Sequence, residues 1–473
     1  MFDSNRREIM MGASAVTAFL ALGGCEKLKQ QIANRPVRKD VSTLANNDPI
    51  LEAYRDAIAQ MQALGASDPR SWVAQANIHL NHCPHGNWFF LPWHRAYVMA
   101  LDTIVRKLSG DASFSMPYWN WTCERAVPAP FWESGSVLNY SPRDITSTSQ
   151  ADITVVGATN IDSIMAETNF EVFASSFATA LRGGGGATGR LEGSPHNYIH
   201  GSFIGGTMAT YTSPLDPIFW LHHCNLDRLW FDWNSDNNAN SNDPTYVNFD
   251  LSGMFVDGDS QPLTYKVGAM ILAPLLSYRY EEPGGCVRKF NRLDDVALKA
   301  LLEKGSAVRF KPLGDFGPAA TNVRLTSRGA SITKLNIPQG QMKAASARVD
   351  STRLVLQLDD VKPEGAGDYY VRVFVNLPAG AAADPASDHY AGSYAFFVDP
   401  QHNHGPLNYL VDISEAMGRL KAKGLATDGA PVEISMVVVP TGTDRTLVAK
   451  PRSVSIGAVR PMLIAKEPQA QAK

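Results

Sequence analysis

The clustering of histidine constrains this chain more than any other feature. The chain has 473 residues and 11 histidines, and eight of the histidines fall within two short windows, residues 79–95 and 192–228. Neutral imidazole is the commonest side-chain ligand for copper, zinc and iron. The clustering of so scarce a residue therefore predicts metal binding in both windows.

The second window contains two predicted helix starts. Ser194-Pro195 and Asp216-Pro217 each place a capping residue directly before a proline, which is the favoured arrangement for the first turn of a helix. His196 and His200 then lie one turn apart on one face, so that they can hold one metal together.

The helix predicted from Asp216 carries a buried stripe. Its members recur at spacings of four and three residues: Phe219, His223, Leu226, Trp230 and Trp233. His223 therefore points into the core, where an imidazole needs a partner. His222 points about a third of a turn away, so we interpret it as structural.

The first window has the same character. His94 shares a helical stripe with apolar residues at 98, 101, 105 and 108, and His85 precedes it on a segment expected to be extended. The third ligand is either His79 or His82. A lone buried histidine is more often a core residue than a ligand, but six of them with few carboxylates nearby reverse that expectation. One zinc with three histidines and water is the alternative, whereas two adjacent all-histidine sites favour a pair of coppers.

The N-terminus predicts an export signal. Arg6-Arg7 precedes an apolar run over residues 12–24, which is too short to span a bilayer and is typical of the twin-arginine route. At Cys25, where the run ends, lipid attachment and ordinary cleavage nearby are the two alternatives. We expect an exported bacterial protein, periplasmic or envelope-anchored, with membrane contact only through that lipid.

The hydrophobic pattern and composition along the chain predict an α domain followed by a β domain. The expected fold class is a mainly α core, a four-helix bundle around the metals, and then an all-β, sandwich-like domain. We expect one helix over 50–64 and another over 413–423, with β-rich runs that begin at 353, 369, 390 and 432. The boundaries are a signal at 1–25, a linker at 26–47, the metal domain at 48–285, a second linker at 286–330, the β domain at 331–445 and a disordered tail at 446–473.

Charge and cysteine content narrow the function classes. A net charge of −3 gives no reason to expect a nucleic-acid partner. The five cysteines are spaced too widely and irregularly to form a disulfide framework, although a pairing of Cys123 with Cys286 stays open.

The two windows resemble the signatures of the tyrosinase and polyphenol oxidase family, whose type-3 centre holds two coppers with three histidines each. Residues 85–102 match the first signature, with Asp102 where most members have glutamate. Residues 216–227 match the second signature in full, and the Tyr-Trp-Asn-Trp run at 118–121 resembles a segment between the two. The resemblance covers about residues 50–285.

The resemblance implies six copper ligands, three for copper A and three for copper B: His79, His85 and His94, then His196, His200 and His223. Cys83 lies four residues after His79 and two before His85. That position resembles family members in which a cysteine forms a thioether to the second ligand. A buried free thiol is the alternative.

The resemblance also implies the reaction, in which phenols and o-diphenols are oxidised by O₂ to o-quinones. Glu192 and Asn197 resemble a pair that holds a water for deprotonation of monophenols, and a carboxylate suits that role because burial tunes its pKa. Met208 and Thr210 lie where the family places a gate residue. Neither is a bulky aromatic, so an open mouth is expected.

Two further residues are expected to support the ligands. Phe219, one turn before His223, should pack against a ligand ring. Asp227, together with Arg228, should hold the surroundings of the ligands in place.

The β-rich region resembles, more weakly, the shielding domain of plant polyphenol oxidases. It implies a latent enzyme, activated when that domain is displaced, but it identifies no side chain that would fill the site. We interpret His389, His402 and His404 in this region as surface residues. The alternative functions are an o-aminophenol oxidase, a hemocyanin-like oxygen carrier and an envelope protein whose histidines only structure the core. Small phenols and O₂ are the expected partners; the natural phenol and the oligomeric state stay open.

Overall fold

A computed structural model describes the chain over residues 34–235, 240–241, 243–271, 276–281, 310–315, 317–327, 331–335, 352–364, 368–399, 406–427, 430–441 and 452–466. These residues form a helical domain and a β domain that pack against each other. Over these ranges, no helix has both the length and the apolar character needed to cross a bilayer.

The described residues contain ten α-helices: α1 (Pro49–Ala63), α2 (Trp72–His82), α3 (Phe90–Ser109), α4 (Ile153–Val156), α5 (Ala158–Met165), α6 (Phe170–Phe173), α7 (Ile218–Ser235), α8 (Pro244–Val247), α9 (Val267–Met270) and α10 (Ser414–Ala422). Two π-helical segments, Glu192–His196 and Tyr198–Ile204, lie between α6 and α7.

The helix predicted over residues 50–64 is confirmed as α1. Asp48 caps its first turn by accepting a hydrogen bond from the Ile50 N–H, and Pro49 occupies the first helical position. Asp216 similarly caps α7 by accepting from the Ile218 N–H at 3.1 Å. Burial of the apolar faces of α1, α3 and α7 in one core then fixes their packing.

The helix start predicted at Ser194 is wrong. Pro195 lies inside the first π-helical segment rather than at the beginning of a helix. The Ser194 hydroxyl instead contacts the Ser393 hydroxyl of the β domain at 3.1 Å and accepts a hydrogen bond from Asn160. The local capping preference is overridden because this segment is buried between the two domains.

A buried cluster of charges lies beneath the helices. The Arg38 guanidinium donates to Asp102 at 2.8 Å and to Asp227 at 3.0 Å, and Arg95 also donates to Asp227. Arg38 follows the first residue of a short strand, β1 (Val37–Arg38), which pairs in parallel with β2 (Arg279–Tyr280). Two cations and two carboxylates thus balance in a region without solvent, and they join α3 and α7 to both ends of the domain.

The β domain consists of two antiparallel sheets. Its strands are β3 (Phe310–Asp315), β4 (Ala320–Thr326), β5 (Ser331–Leu335), β6 (Thr352–Glu364), β7 (Tyr369–Val375), β8 (Tyr390–Ala395), β9 (Leu407–Asp412), β10 (Val432–Pro440) and β11 (Ser453–Lys466). One sheet has the order β5-β10-β7-β8; the other has β3-β11-β6-β9, with β4 also paired to β11. Their inner faces share one apolar core, so the predicted sandwich is confirmed, as is the helix at 413–423.

Three predicted boundaries are wrong. The predicted linker at 26–47 contains β1 and the buried side chains of Arg38 and Val41, which belong to the helical domain. β11 lies within the region predicted as a disordered tail at 446–473, and it pairs with β6 over most of its length. β3 and β4 lie within the region predicted as the linker at 286–330. Pro461 masked the strand in the sequence; it falls between the residues paired with β4, which end at Val459, and those paired with β3, which begin at Met462.

Several predicted features lie outside the described residues, namely the export signal, Cys25, Cys286, His402 and His404. Cys123 is held in a disulfide bond. Because Cys286 is not described, its pairing with Cys123 stays a prediction.

The charge cluster yields a stability prediction. Replacing Arg38 with methionine leaves Asp102 and Asp227 buried with one cation fewer, so the free energy of unfolding of the helical domain should fall by about 3 to 5 kcal/mol. All nine tryptophans belong to this domain, so tryptophan fluorescence during urea unfolding of the copper-free chain reports on it alone. The matched control is Lys107→Ala, which removes an exposed ion pair with Asp259 and should leave the midpoint unchanged. Equal midpoints for the two variants would contradict this account.

Candidate metal centre

Five helical segments and one loop bring the six predicted copper ligands together. α2 carries His79, α3 carries His94, the π-helical segments carry His196 and His200, and α7 carries His223, while His85 lies in the loop after α2. The three rings predicted for copper A have centroids 5.5 Å from one another. The three predicted for copper B lie 4.5 to 5.4 Å apart. The His94 and His223 rings stack at 4.3 Å, which makes the two groups direct neighbours.

Burial keeps these imidazoles neutral. The pKa of His94 falls to about 3 and that of His200 to about 4, because water is excluded from the charged form of each ring. Burial also lowers the pKa of His79, His196 and His223 well below the usual range. Neutral imidazole is the form that binds a metal.

Hydrogen bonds donated by Nδ1 fix the tautomer of four rings. His79 Nδ1 donates to the Tyr211 carbonyl at 2.8 Å, His94 Nδ1 to the Phe90 carbonyl at 2.8 Å, and His200 Nδ1 to the Met208 carbonyl at 2.7 Å. A carbonyl only accepts, so the proton lies on Nδ1 and Nε2 keeps its lone pair.

His196 follows the same rule through a side chain. Its Nδ1 donates to the Asn197 Oδ1 at 2.8 Å, because the Asn197 Nδ2 is committed to the Ala395 carbonyl at 3.1 Å. The amide orientation therefore follows from its two neighbours.

The free nitrogens fit a metal. Among the described residues, the ring nitrogens of this centre that are buried without a hydrogen-bond partner are Nε2 of His79, His85, His94, His196 and His222, and Nδ1 of His223. The Nε2 atoms of His200 and His223 face each other at 3.2 Å, an arrangement in which one proton or a cation must lie between them. Buried unpaired acceptors are costly, so their convergence is explained by a metal that accepts their lone pairs.

His222 lies inside the second group, closer than the sequence indicated. Its ring nitrogen falls within 4.8 Å of those of His196, His200 and His223. However, its Nδ1 accepts a hydrogen bond from Trp121 Nε1 at 3.2 Å, and an indole N–H only donates. The proton of neutral His222 therefore lies on Nε2, which leaves that nitrogen without a lone pair for a metal. This agrees with a structural role for His222.

Cys83 and His85 lie in contact in the loop after α2. The Cys83 Sγ is 3.5 Å from His85 Nδ1, and burial raises the pKa of the thiol to about 12. Arg182 holds this loop by donating to the Cys83 and Leu80 carbonyls at 2.9 Å. The thioether stays a prediction, and the contact distance is compatible with it.

The surroundings of the ligands are aromatic. Phe219 packs against His223 at 4.2 Å and His79 at 5.1 Å between ring centroids, as predicted from its place one turn before His223. Asp227 acts at longer range, since it belongs to the charge cluster that joins α3 to α7 and so sets the spacing of His94 and His223. Arg228, in contrast, bonds to Asn225 and Asp232 on its own helix.

A β-domain phenylalanine fills the space between the two groups. The Phe397 ring centroid lies 4.8 Å from that of His85 and 4.7 Å from that of His200, and the side chain is buried. The sequence did not identify this residue. The available signal was strand alternation: Tyr394 and Phe396 face the β-domain core, so Phe397 faces away from it.

The gate residues predicted from the resemblance do not form an open mouth. Met208 is buried and contributes its carbonyl to His200, while the Thr210 hydroxyl bonds to Thr207 and Thr212. The next residue, Tyr211, instead stacks on His85 at 5.5 Å and packs against Phe397. In this docked arrangement, Tyr211 and Phe397 cover His85.

Glu192 and Asn197 line one cavity of about 240 Å³ beside His85 and Phe397. The Glu192 carboxylate accepts from the Gly86 N–H at 2.7 Å and from the Ser175 hydroxyl at 2.5 Å. Burial nevertheless raises its pKa to about 8. A carboxyl group poised near neutral pH beside a substrate-sized cavity suits proton transfer.

His389 lies in the β domain, where its Nδ1 donates to the Val375 carbonyl at 2.8 Å. This half-buried contact belongs to the β domain alone and does not reach the histidine centre.

Comparison with known proteins agrees with this geometry. A family model described as the common central domain of tyrosinase matches residues 60–151 and 133–236, and a domain of unknown function, DUF7868, matches residues 317–459. A tyrosinase from Hahella sp. (strain CCB-MM4) is 26% identical over 80% of this chain and 90% of its own length. The latent form of chloroplastic polyphenol oxidase from Prunus armeniaca is 26% identical over 76% of this chain and 66% of its own.

Solved structures share the complete fold. Latent apple tyrosinase superposes with a TM-score of 0.67 at 20% identity, over 91% of this chain and 97% of its own. The family model, both relatives and the convergence of two histidine triads lead to the same assignment. Residues 60–236 form a tyrosinase-family domain, and its two histidine triads fit a dinuclear copper centre.

Proposed function

We propose that this protein oxidises phenols and o-diphenols with O₂ to o-quinones, and that it is latent while the β domain is docked. The observation that carries the proposal is the convergence of two triads of neutral, buried imidazoles. His79, His85 and His94 would hold one copper, and His196, His200 and His223 the other. The bound copper pair supplies the redox chemistry with O₂.

The reaction balances without a further oxidant. One O₂ converts two catechols to two quinones and two waters, and one O₂ converts one phenol to one quinone and one water. A carrier role has less support than oxidation, because the Glu192 carboxyl beside the cavity offers a proton acceptor that oxygen binding alone does not need.

Phe397 supports latency. Its ring contacts one ligand from each triad, the place that an aromatic substrate must enter to meet both coppers. Main-chain bonds keep the β domain docked: the Thr188 N–H donates to the Asn408 carbonyl, and the Leu410 N–H donates to the Thr188 carbonyl, each at 2.8 Å. Substrate access therefore requires that this pairing be broken.

Glu192 and Asn197 are the proposed proton-handling pair. Glu192 is the proposed base for monophenols, acting through a water held with Asn197, because both line the cavity that Phe397 borders. A catechol is more acidic than a monophenol and depends less on this pair.

The remaining assignments rest on sequence. We propose export by the signal at 1–25. The Cys83–His85 thioether would fix the His85 ring against the loop that Arg182 holds.

Limited proteolysis tests latency. Trypsin has candidate sites at Arg288, Lys289 and Arg292, between the two domains. Cleavage there and separation of the β domain should raise oxidation of 4-methylphenol and 4-methylcatechol by copper-loaded protein, because Phe397 leaves the site. Quinone absorbance and size-exclusion chromatography measure rate and separation.

The control is the chain in which every lysine and arginine from 288 to 309 is replaced with glutamine. Trypsin should leave this chain both intact and latent. Unchanged turnover after separation of the β domain from the parent chain would contradict the latency proposal.

Glu192→Gln tests the proposed base. In enzyme freed of its β domain, oxidation of 4-methylphenol should fall about 100-fold, the usual scale for loss of a general base. Oxidation of 4-methylcatechol should stay within about threefold. Glu52→Gln, at an exposed position on α1, is the matched control. Equal losses on both substrates would show that Glu192 supports the site without acting as a base.

A further inference from the structure

We infer that the docked β domain silences the site in two separable ways, and that one of them acts on monophenols alone. This inference rests on the proposed function and concerns its regulation. Phe397 occupies the space between the triads, whereas the Ala395 carbonyl and Tyr409 occupy the side that carries Glu192 and Asn197.

We call these two contacts covers: the first cover is the Phe397 ring, and the second cover is the hydrogen bonding of Asn197 to the β domain. The Asn197 Nδ2 donates to the Ala395 carbonyl at 3.1 Å, and the Tyr409 hydroxyl donates to the same oxygen at 3.0 Å. The Asn197 Oδ1 accepts from His196 Nδ1. The Asn197 side chain also hydrogen-bonds to Tyr409. With Oδ1 bonded to His196 and Nδ2 bonded on the side of β8 and β9, both ends of the amide are engaged while the domain is docked.

The two covers use different groups: Phe397 acts through its ring, and Ala395, two residues earlier, acts through its backbone carbonyl. Ala395 ends β8, and Tyr409 lies on β9; both are independent of the Phe397 side chain. The pairing of Thr188 with β9 also does not involve Phe397. Removal of the Phe397 ring should therefore open the space between the triads and leave Asn197 captured.

The consequence is a split between substrates. With Phe397 truncated and the domain docked, a catechol can reach the copper pair and needs little from Glu192 and Asn197. A monophenol reaches the same place, but the water that would accept its proton lacks its amide donor. Latency toward monophenols should then persist until the whole domain leaves.

The test compares Phe397→Ala in the intact chain with the same variant after tryptic removal of the β domain. The substrates 4-methylcatechol and 4-methylphenol differ by one hydroxyl, so access is matched. We expect intact Phe397→Ala to oxidise the catechol at least about tenfold faster than the intact parent chain. We also expect its phenol-to-catechol rate ratio to be at least about tenfold below that of the cleaved variant.

Folding and loosening are controlled separately. Copper content and tryptophan fluorescence verify the fold, and Phe397→Leu repeats the test with a smaller change in volume. Phe396→Ala reports general loosening, since Phe396 packs on Tyr369 and Tyr394 in the β-domain core. If the domain only loosens, the oxidation rates of the phenol and of the catechol should rise together, and their ratio should equal that of the cleaved enzyme.

The outcomes separate this inference from the proposed function. Equal ratios in intact and cleaved Phe397→Ala would overturn the second cover, as would a cleaved enzyme that oxidises only the catechol. If intact Phe397→Ala oxidises both substrates no faster than the intact parent chain, the two covers are not separable. A copper-loaded, cleaved enzyme that oxidises neither substrate would overturn the proposed function itself.

Discussion

The structure depends on holding buried imidazoles in one tautomer. A buried neutral histidine must satisfy two nitrogens, and in four of the six predicted ligands the protein gives Nδ1 a hydrogen-bond acceptor, whereas Nδ1 of His223 has no partner. Three backbone carbonyls and one asparagine supply the Nδ1 partners. These partners come from three segments of the chain, at Phe90, at Asn197 and at residues 208–211. The backbone around the centre must therefore be correctly folded before the lone pairs converge. Metal binding and folding are therefore coupled in this domain.

The charge cluster extends the same constraint to the helices. Asp227 on α7 and Asp102 on α3 share the Arg38 guanidinium, and Arg95 closes the group. These bonds fix α3 against α7, which are the helices that place His94 and His223 in ring contact. Asp102, the residue that departs from the family pattern, keeps an acidic partner for Arg38 at this position. The shorter side chain is accommodated because Arg38 reaches it at 2.8 Å.

Sequence periodicity predicted much of the centre and missed what the domains create together. His94 and His223 were identifiable because each lies on an apolar helical stripe, where a polar ring needs a reason to be buried. His79 was not separable from His82 by spacing, since both lie near the end of α2; the motif decided in favour of His79, and the structure buries it while His82 is exposed. Phe397 and the capture of Asn197 depend on docking between segments about 200 residues apart, which local pattern does not encode. β11 was missed because Pro461 interrupts its strand-like sequence pattern. The strand itself continues through Pro461, because the proline lies on the edge where the pairing partner changes from β4 to β3.

The assignment of His222 as a hydrogen-bonded neighbour, and of the six other histidines as ligands, is the claim on which the account depends. Distance alone admits His222 to the second group, and only the Trp121 hydrogen bond separates it from the ligands. The most direct measurement is the copper content per chain of full-length protein after copper loading and removal of excess metal, for the parent and for His222→Gln and His223→Gln. The account predicts two copper ions in the parent and in His222→Gln, and about one in His223→Gln. Loss of one copper from His222→Gln, with two retained by His223→Gln, would contradict it.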